Sequence, residues 1–147
     1  MLKISLFLLS TILIVHVVGS LLAWYDVIWW LDIVMHFAGG AWVALTSLYF
    51  YISIWKIFPP QTKFLPVLVV TLASVALIGV LWEFYEYLMD VYKFKLHPLN
   101  FAPNPQALPD TLVDLVNDLL GGLLVVILYF ISSKRQNRST PYQNSDS

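Results

Sequence analysis

Acidic residues recur at helical spacing in the stretch from Gly79 to Asp90, which reads GVLWEFYEYLMD. Glu83 and Glu86 are one helical turn apart and Asp90 is one turn further, so on a helix the three carboxylates share one face. The stretch ends a long apolar run, and an acidic side chain near the middle of a bilayer costs about 2.5 to 3.5 kcal/mol. The carboxylates therefore need partners, protons or a bound cation.

Two other apolar stretches carry polar residues at the same spacing. Residues four apart lie on one side of a helix, so each stretch presents one polar stripe, and the simplest packing turns all the stripes inward. The pairs are Asp32 and His36, Asp110 and Asp114, and Asn117 and Gly121.

The depths of three of these residues agree. At 1.5 Å per residue, His36, Glu83 and Asn117 each lie roughly 10 Å inside the same boundary of their helices. Agreement across three separate segments raises the signal above chance, and it predicts that the three side chains meet.

Carboxylate and amide oxygens with one imidazole and no sulfur suit a divalent cation such as Mg, Mn, Zn or Fe. A bound cation would offset the repulsion between the carboxylates and could activate a water or bridge to a substrate phosphate. Without a metal, closely spaced carboxylates could carry protons instead. The predicted metal ligands are Asp32, His36, Glu83, Glu86, Asp114 and Asn117, with accessory positions at Asp110, Thr111, Asp90 and Asp118.

Some of these residues also have a purely structural interpretation. Asp110 follows Pro109 and could be a helix N-cap, and Thr111 with Asp114 fits a capping box. This interpretation and the functional one are left open for these residues.

The remaining acids differ in depth. Asp32, Asp90 and Asp118 lie near the interface, where water makes a carboxylate tolerable, and for Asp90 and Asp118 a solvated role is favoured. Glu83 and His36 are deeper. A hydrogen bond between them would be a structural solution, although ionisable residues inside a membrane are functional more often than not.

The composition predicts an integral membrane protein. The 147 residues are 59% hydrophobic and only 12% charged, with a mean hydropathy of +0.76, whereas a soluble domain is about 25% charged. The expected fold class is all-α, a polytopic four-transmembrane-helix bundle. With no cysteine in the chain, thiolate ligands are excluded, and with no basic stripe nucleic acid is not an expected partner.

Four spans and a polar tail account for the length. A cleaved signal peptide is the alternative for the first span, but the apolar stretch exceeds the usual length of about 7 to 15 residues, so a retained span is favoured. The connection over residues 91–109 contains four prolines and is predicted to be irregular. The tail over residues 132–147 is predicted to be disordered. The predicted spans are about residues 4–24, 29–54, 66–90 and 111–131.

Three further features have structural interpretations. For His16 a neutral imidazole hydrogen-bonded to a neighbouring helix is favoured over a ligand role, and whether it joins the site is open. Gly39 and Gly40 would let another helix backbone approach closely. Aromatic residues anchor the bundle at both interfaces. They are Trp24, Tyr25, Trp29 and Trp30 at one, and Tyr49, Tyr51 and Trp55 at the other.

Basic residues predict the orientation. Six Lys and Arg residues fall at one end of the predicted spans and only Lys93 and Lys95 at the other. The positive-inside rule therefore predicts that both termini are cytoplasmic in the cell membrane. Every acid except Asp146 then lies on the outer side.

The segments YDVIWWLDIVMHFAGG, LWEFYEYLMD and DTLVDLVNDLLGG resemble the uncharacterised YjdF-like family of integral inner-membrane proteins. Its pattern is an Asp before His-Phe-x-Gly, a Glu-x-x-Glu pair and an Asp-Thr-x-x-Asp helix start. The likeness covers about residues 25–122 in blocks, and more loosely the segments are similar to the VanZ-like membrane proteins. Before the Asp-Thr, Gln-Ala-Leu-Pro stands where Gln-Gly-Asp is expected. The resemblance supports the fold and names no reaction. It carries over Asp32, His36, Glu83, Glu86, Asp110, Thr111 and Asp114.

The preferred functional hypothesis is a divalent-metal site that acts on, or binds, a lipid or cell-envelope headgroup, with membrane lipids as partners. The alternatives are a proton or cation permeation protein and a purely structural membrane subunit. A carrier needs a polar path through the bundle. Below His36, Glu83 and Gly121 the sequence is nearly all apolar, which disfavours such a path. The exceptions are Thr46, Ser47, Thr71 and Ser74.

Overall fold

A computed structural model describes residues 1–59, 62–96 and 107–138 of the chain. Every regular element in these ranges is helical. Four of the helices are long and apolar enough to cross a membrane, which confirms the expected all-α, four-span architecture. The elements are α1 Leu2–Leu21, α2 Trp24–Val27, α3 Leu31–Tyr49 with a π-helical continuation Phe50–Ile54, α4 Phe64–Leu96 and α5 Ala107–Arg138.

The helix ends differ from the predicted ones at the two sides of the long connection. Helix α4 has 33 residues, about 50 Å, and runs past Asp90 to Leu96, while α5 already begins at Ala107. Much of the stretch predicted to be irregular is therefore helical. Likewise α5 continues to Arg138, inside the tail predicted to be disordered. Residues 97–106 and 139–147 lie outside the described ranges.

Helix α3 is the centre of the bundle. It packs most extensively against α5 and also contacts α4 and α1. The helices α3 and α5 touch at two glycines: a Cβ on Gly40 would overlap the carbonyl oxygen of Asp118, and a Cβ on Gly121 would overlap that of Phe37. Close approach at Gly40 agrees with the sequence prediction, because only a residue without a side chain lets the backbones meet.

The interior of the bundle away from the acidic residues is apolar. One buried cluster consists of Val43, Ala44 and Val75, and a second lies beyond it towards the opposite end. The second cluster consists of Leu48, Val67 and Val126. These side chains come from α3, α4 and α5, so the three helices form one core.

Helix α1 is peripheral. Only Ser5 and Gly19 are buried on it, and the Ser5 hydroxyl lies 2.7 Å from the Thr46 hydroxyl of α3, a hydrogen bond. In the part of the chain that the structure describes, no Cα atom of α1 lies within 8 Å of one in α4. Helices α1 and α4 therefore both pack against α3 and leave a gap between their own backbones.

Candidate functional site

The three polar stripes converge at one end of the bundle, which we call the acidic end. It is formed by the start of α3, the second half of α4 and the start of α5. Because consecutive long helices run in opposite directions, residues far apart in sequence reach the same level. The structure thus brings Asp32, His36, Glu83, Glu86, Asp110 and Asp114 together.

His36 is at the centre of this cluster and is only 5% exposed. Its Nε2 atom faces three carboxylate oxygens, at 3.8 Å from Asp32 Oδ1, 3.9 Å from Glu86 Oε2 and 4.0 Å from Glu83 Oε1. All three distances exceed those of direct hydrogen bonds, which are about 2.7 to 3.2 Å for N–H···O. His36 therefore belongs to two overlapping groups of possible ligands, one with Asp32 and Glu86 and one with Glu83 and Asp114.

This spacing is compatible with ligands around one ion. Protein nitrogen and oxygen atoms lie about 2.0 to 2.2 Å from zinc, so two ligands of one ion are on the order of 3 to 4 Å apart. The Oε1 atom of Glu83 is buried and has no hydrogen-bond partner among the described residues. A buried carboxylate oxygen without a partner is costly, so this atom is free to act as a ligand.

Asp118 lies on the other side of the histidine ring. Its Oδ2 atom is 3.6 Å from His36 Nδ1 and its residue is 5% exposed, so the favoured solvated role for Asp118 is wrong. Space for this carboxylate comes from a neighbouring helix: a Cβ on Gly79 would lie 2.6 Å from Asp118 Oδ2. A carboxylate at the second ring nitrogen is the usual way in which a metal-binding histidine is oriented.

Helix α5 extends the cluster beyond His36. Asp114 is buried, at 4% exposed. One of its carboxylate oxygens lies within 4.8 Å of ligand atoms of His36 and Glu83, and Asp114 makes a second such group with Asp32 and Asp110. Asp110 is exposed and lies in the first turn of a helix that starts at Ala107. Asp110 is therefore not the N-cap, and Thr111 with Asp114 does not form a capping box, because the helix begins four residues earlier than predicted.

Two predicted residues with described side chains, Asn117 and Thr111, are not brought into the cluster. The Asn117 amide instead donates from Nδ2 to the carbonyl oxygen of Val113, 2.9 Å away on its own helix. Asn117 and Thr111 line neither of the two cavities at the acidic end. Asp90 is a residue of α4 whose side chain lies outside the described part of the structure.

Two cavities meet at Asp32. The first, about 150 Å³, lies between α1, α3 and α4, and Asp32, His36, Glu86 and Asp118 form its polar end. The second, about 220 Å³, lies between α3 and α5 and is lined by a mixture of acids and apolar groups. Its walls are Trp29, Asp32, Ile33, Pro109, Asp110, Val113 and Asp114.

His16 lies at the first cavity and is joined to the connection between the first two spans. Its Nδ1 atom is 3.0 Å from the Tyr25 hydroxyl of α2, so its hydrogen-bond partner is this short helix rather than a neighbouring span. The ring also packs edge-on against Trp82 of α4, with centroids 5.5 Å apart. Burial, helped by the charges of Asp32 and Glu86, raises the pKa of Tyr25 to about 12. The phenol therefore keeps its proton at neutral pH.

Sequence reasoning underrated one residue of this arrangement and missed another. Asp118 is predicted only as an accessory position with a solvated role favoured, although its position four residues after Asp114 places it on the same helix face. Tyr25 was interpreted as an interface anchor only. Nothing in the local sequence indicates its hydrogen bond to His16, because that contact depends on how α2 folds back over α1.

Comparison with known proteins identifies a family. A family model described as "Predicted membrane protein (DUF2238)" matches residues 1–135, which confirms the resemblance to YjdF-like proteins. The looser likeness to VanZ-like proteins is not shown. Neither a curated protein nor a solved structure matches the chain.

Proposed function

Since the chain belongs to the DUF2238 family of predicted membrane proteins, whose description names no reaction, we propose from its geometry that the acidic end is a divalent-metal site which binds, or acts on, the headgroup of a lipid or cell-envelope molecule. One observation carries the proposal. His36 Nε2 and the buried, unpartnered Glu83 Oε1 face each other at 4.0 Å, together with oxygens of Asp32 and Glu86.

The ligand set is mainly anionic. His36 would supply one nitrogen, and oxygens would come from Asp32, Glu83, Glu86 and Asp114. Such a set suits Zn, Mg, Mn or Fe, and the positive ion would offset the repulsion that these carboxylates exert on one another. Asp118 would hold the imidazole in place from the other side as a positioning residue.

Chemistry at a headgroup follows from the location of the site. A divalent cation polarises a phosphate or carbonyl oxygen, or activates a bound water. The second cavity leads to Asp32, Asp110 and Asp114 from the side of α5, and Trp29 at its wall is 80% exposed. This cavity would admit a polar headgroup to the metal, while the carboxylates would hold the ion and accept protons.

The apolar core argues against the permeation alternative. Val43 and Val75 line the first cavity and, together with Ala44, form a buried apolar cluster at the centre of the bundle. Thr71 is buried on α4 and its hydroxyl has no partner among the described residues. Elsewhere in the bundle hydroxyls form separate pairs, Ser5 with Thr46 and Tyr51 with Ser74, and within the described residues no hydrogen bond joins these pairs into a relay. A carrier needs polar groups continuing to the opposite end of the bundle.

Replacement of Glu83 by glutamine tests the proposed function. This change keeps the side-chain volume and removes one charge, so bound metal in the purified protein should fall, and the rise in melting temperature on adding Zn²⁺ or Mn²⁺ should shrink. The measurements are elemental analysis and thermal unfolding in detergent. The matched control is Asp26→Asn, because Asp26 is an exposed acid at the same end but outside the cluster.

The other functions predict different results in the same experiment. A structural pair between Glu83 and His36 would lose about 3 to 5 kcal/mol of stability on Glu83→Gln and have no metal to lose. A proton carrier would keep its stability and lose proton flux in liposomes. The metal proposal is abandoned if wild type holds no stoichiometric metal and gains no stability from divalent cations.

Orientation is tested separately. The bias of basic residues predicts that the acidic end lies on the outer side, so a compartment-sensitive reporter fused after Arg138 should give a cytoplasmic signal. The same reporter inserted between Leu96 and Ala107 is the control and should give the opposite signal. An outside signal after Arg138 would turn the site towards the cytoplasm and exclude an outer headgroup.

A further inference from the structure

We propose that the first cavity, between α1, α3 and α4, binds one aliphatic chain of a membrane lipid and holds that lipid's headgroup at the acidic end. We call it the chain cavity. Chain binding deepens the proposed function by naming a membrane lipid as the substrate class. It rests on that function only for the binding of the headgroup at the metal site. The chain-binding part stands on the shape and chemistry of the cavity walls.

The walls are apolar along most of their length. Leu9 and Ile12 come from α1, Val43 from α3, and Val75 and Ile78 from α4. Cavity walls of this kind favour an apolar molecule over water, so the apolar part of the cavity suits a hydrocarbon chain. On α1 the lining runs from Leu9 to His16, about 10 Å along the axis, so the space is elongated like a chain segment.

The cavity borders the lipid phase at the gap between α1 and α4. No described Cα of α1 comes within 8 Å of one in α4, so the two backbones leave a gap, which the His16 and Trp82 rings bridge at the acidic end. Leu13 and Ile78 line the cavity from opposite sides and are 51% and 43% exposed. In a membrane such exposed apolar residues face lipid tails, so a chain can enter sideways without crossing water.

The far end of the cavity selects an amphiphile. Asp32, His36, Glu86 and Asp118 line it there, next to the hydrogen-bonded pair of His16 and Tyr25. A pure hydrocarbon would leave these groups without partners. A lipid with its chain along Ile12 and Val75 would place its headgroup at these groups, beside the metal proposed above.

Photolabelling gives a direct test. Full-length protein is reconstituted with phosphatidylethanolamine that carries a diazirine in the middle of one acyl chain, and in a second arm with polyprenyl phosphate carrying the same group. After illumination, adducts are mapped by mass spectrometry. The informative positions are Val43 and Val75, which are 9% and 1% exposed and inaccessible to lipids surrounding the bundle. We expect adducts at both from at least one probe.

Two tryptophan variants on α1 provide the contrast. Ile12 lines the chain cavity and Ile14 does not, being 64% exposed on the same helix. Adducts at Val43 and Val75 should be lost in Ile12→Trp, which fills the cavity, and persist in Ile14→Trp. If Ile12→Trp does not fold, Ile78→Phe fills the cavity from the opposite wall and should give the same loss.

A chelator separates this proposal from the metal site. Adducts at Val43 and Val75 that persist with EDTA establish chain binding even if wild type holds no metal. Absence of adducts at both valines with both probes overturns chain binding, whether or not metal is bound. Equal labelling of these valines in Ile12→Trp and Ile14→Trp overturns it as well, because the label would then not come from the cavity.

Discussion

Replacing Gly40 by alanine is expected to lower the free energy of unfolding by about 3 kcal/mol, the upper end of the usual cost of overpacking. The added Cβ would overlap the carbonyl oxygen of Asp118 and lie 2.6 Å from its Cα. Both obstacles are backbone atoms of α5, so no side chain can rotate away, and the two central helices must separate. Unfolding of the purified protein in detergent measures the loss.

The neighbouring glycine is a matched control. A Cβ on Gly39 would meet only Asp118 Oδ1, at an ordinary contact distance of 3.8 Å. Since alanine is about 0.8 to 1 kcal/mol better than glycine inside a helix, Gly39→Ala should leave stability unchanged or slightly raised. Equal losses for the two variants would mean that α3 and α5 do not meet at Gly40.

The second large effect concerns the two sides of the His36 ring. His36→Gln removes the imidazole nitrogen that faces the carboxylates of Asp32, Glu83 and Glu86. The affinity of the protein for a divalent cation should therefore fall further in this variant than in Asp118→Asn. Asp118→Asn leaves that nitrogen in place and weakens only its support, which typically costs about 10-fold to 100-fold in metal affinity. Titration of metal-free protein with Zn²⁺ measures both affinities.

The order of these two effects separates a metal site from an ion pair. If His36 were simply a buried cation held by carboxylates, each change would break the pair and cost about 3 to 5 kcal/mol of stability, with no dependence on added cations. Asp26→Asn, at an exposed acid outside the cluster, should change neither the affinity nor the stability. A loss for Asp118→Asn as large as that for His36→Gln would contradict the role of Asp118 as a positioning residue.

The membrane fold could be predicted because its signal is local. A run of about 20 apolar residues reports a membrane span without reference to the rest of the chain. Helix ends are less certain, because in α4 and α5 the polar residues beyond the apolar run continue the helix. Prolines and charges after Asp90 predicted irregular structure there. They mark the end of the apolar run, but the helix itself continues to Leu96.

The level of the site along the bundle was also contained in the sequence. Helical rise is constant, so counting residues from the span ends placed His36 and Glu83 at one depth, and their side chains do face each other at 4.0 Å. Rotation about the helix axis was not determined in this way. Counting favoured Asn117, but the next residue, Asp118, turns towards His36, because α5 is fixed against α3 at Gly40 and Gly121.

The sequence by itself therefore determined the four spans, the end of the bundle that carries the acids and the depth at which they meet, because length, hydropathy and helical rise act within single segments. Only the tertiary structure decided which face of α5 points inward, that Asp118 supports His36, and that α1 and α4 leave a cavity between them. These features depend on contacts between helices. Glycine positions set how closely two helices approach. The sequence of one helix does not by itself show where the neighbouring helix lies.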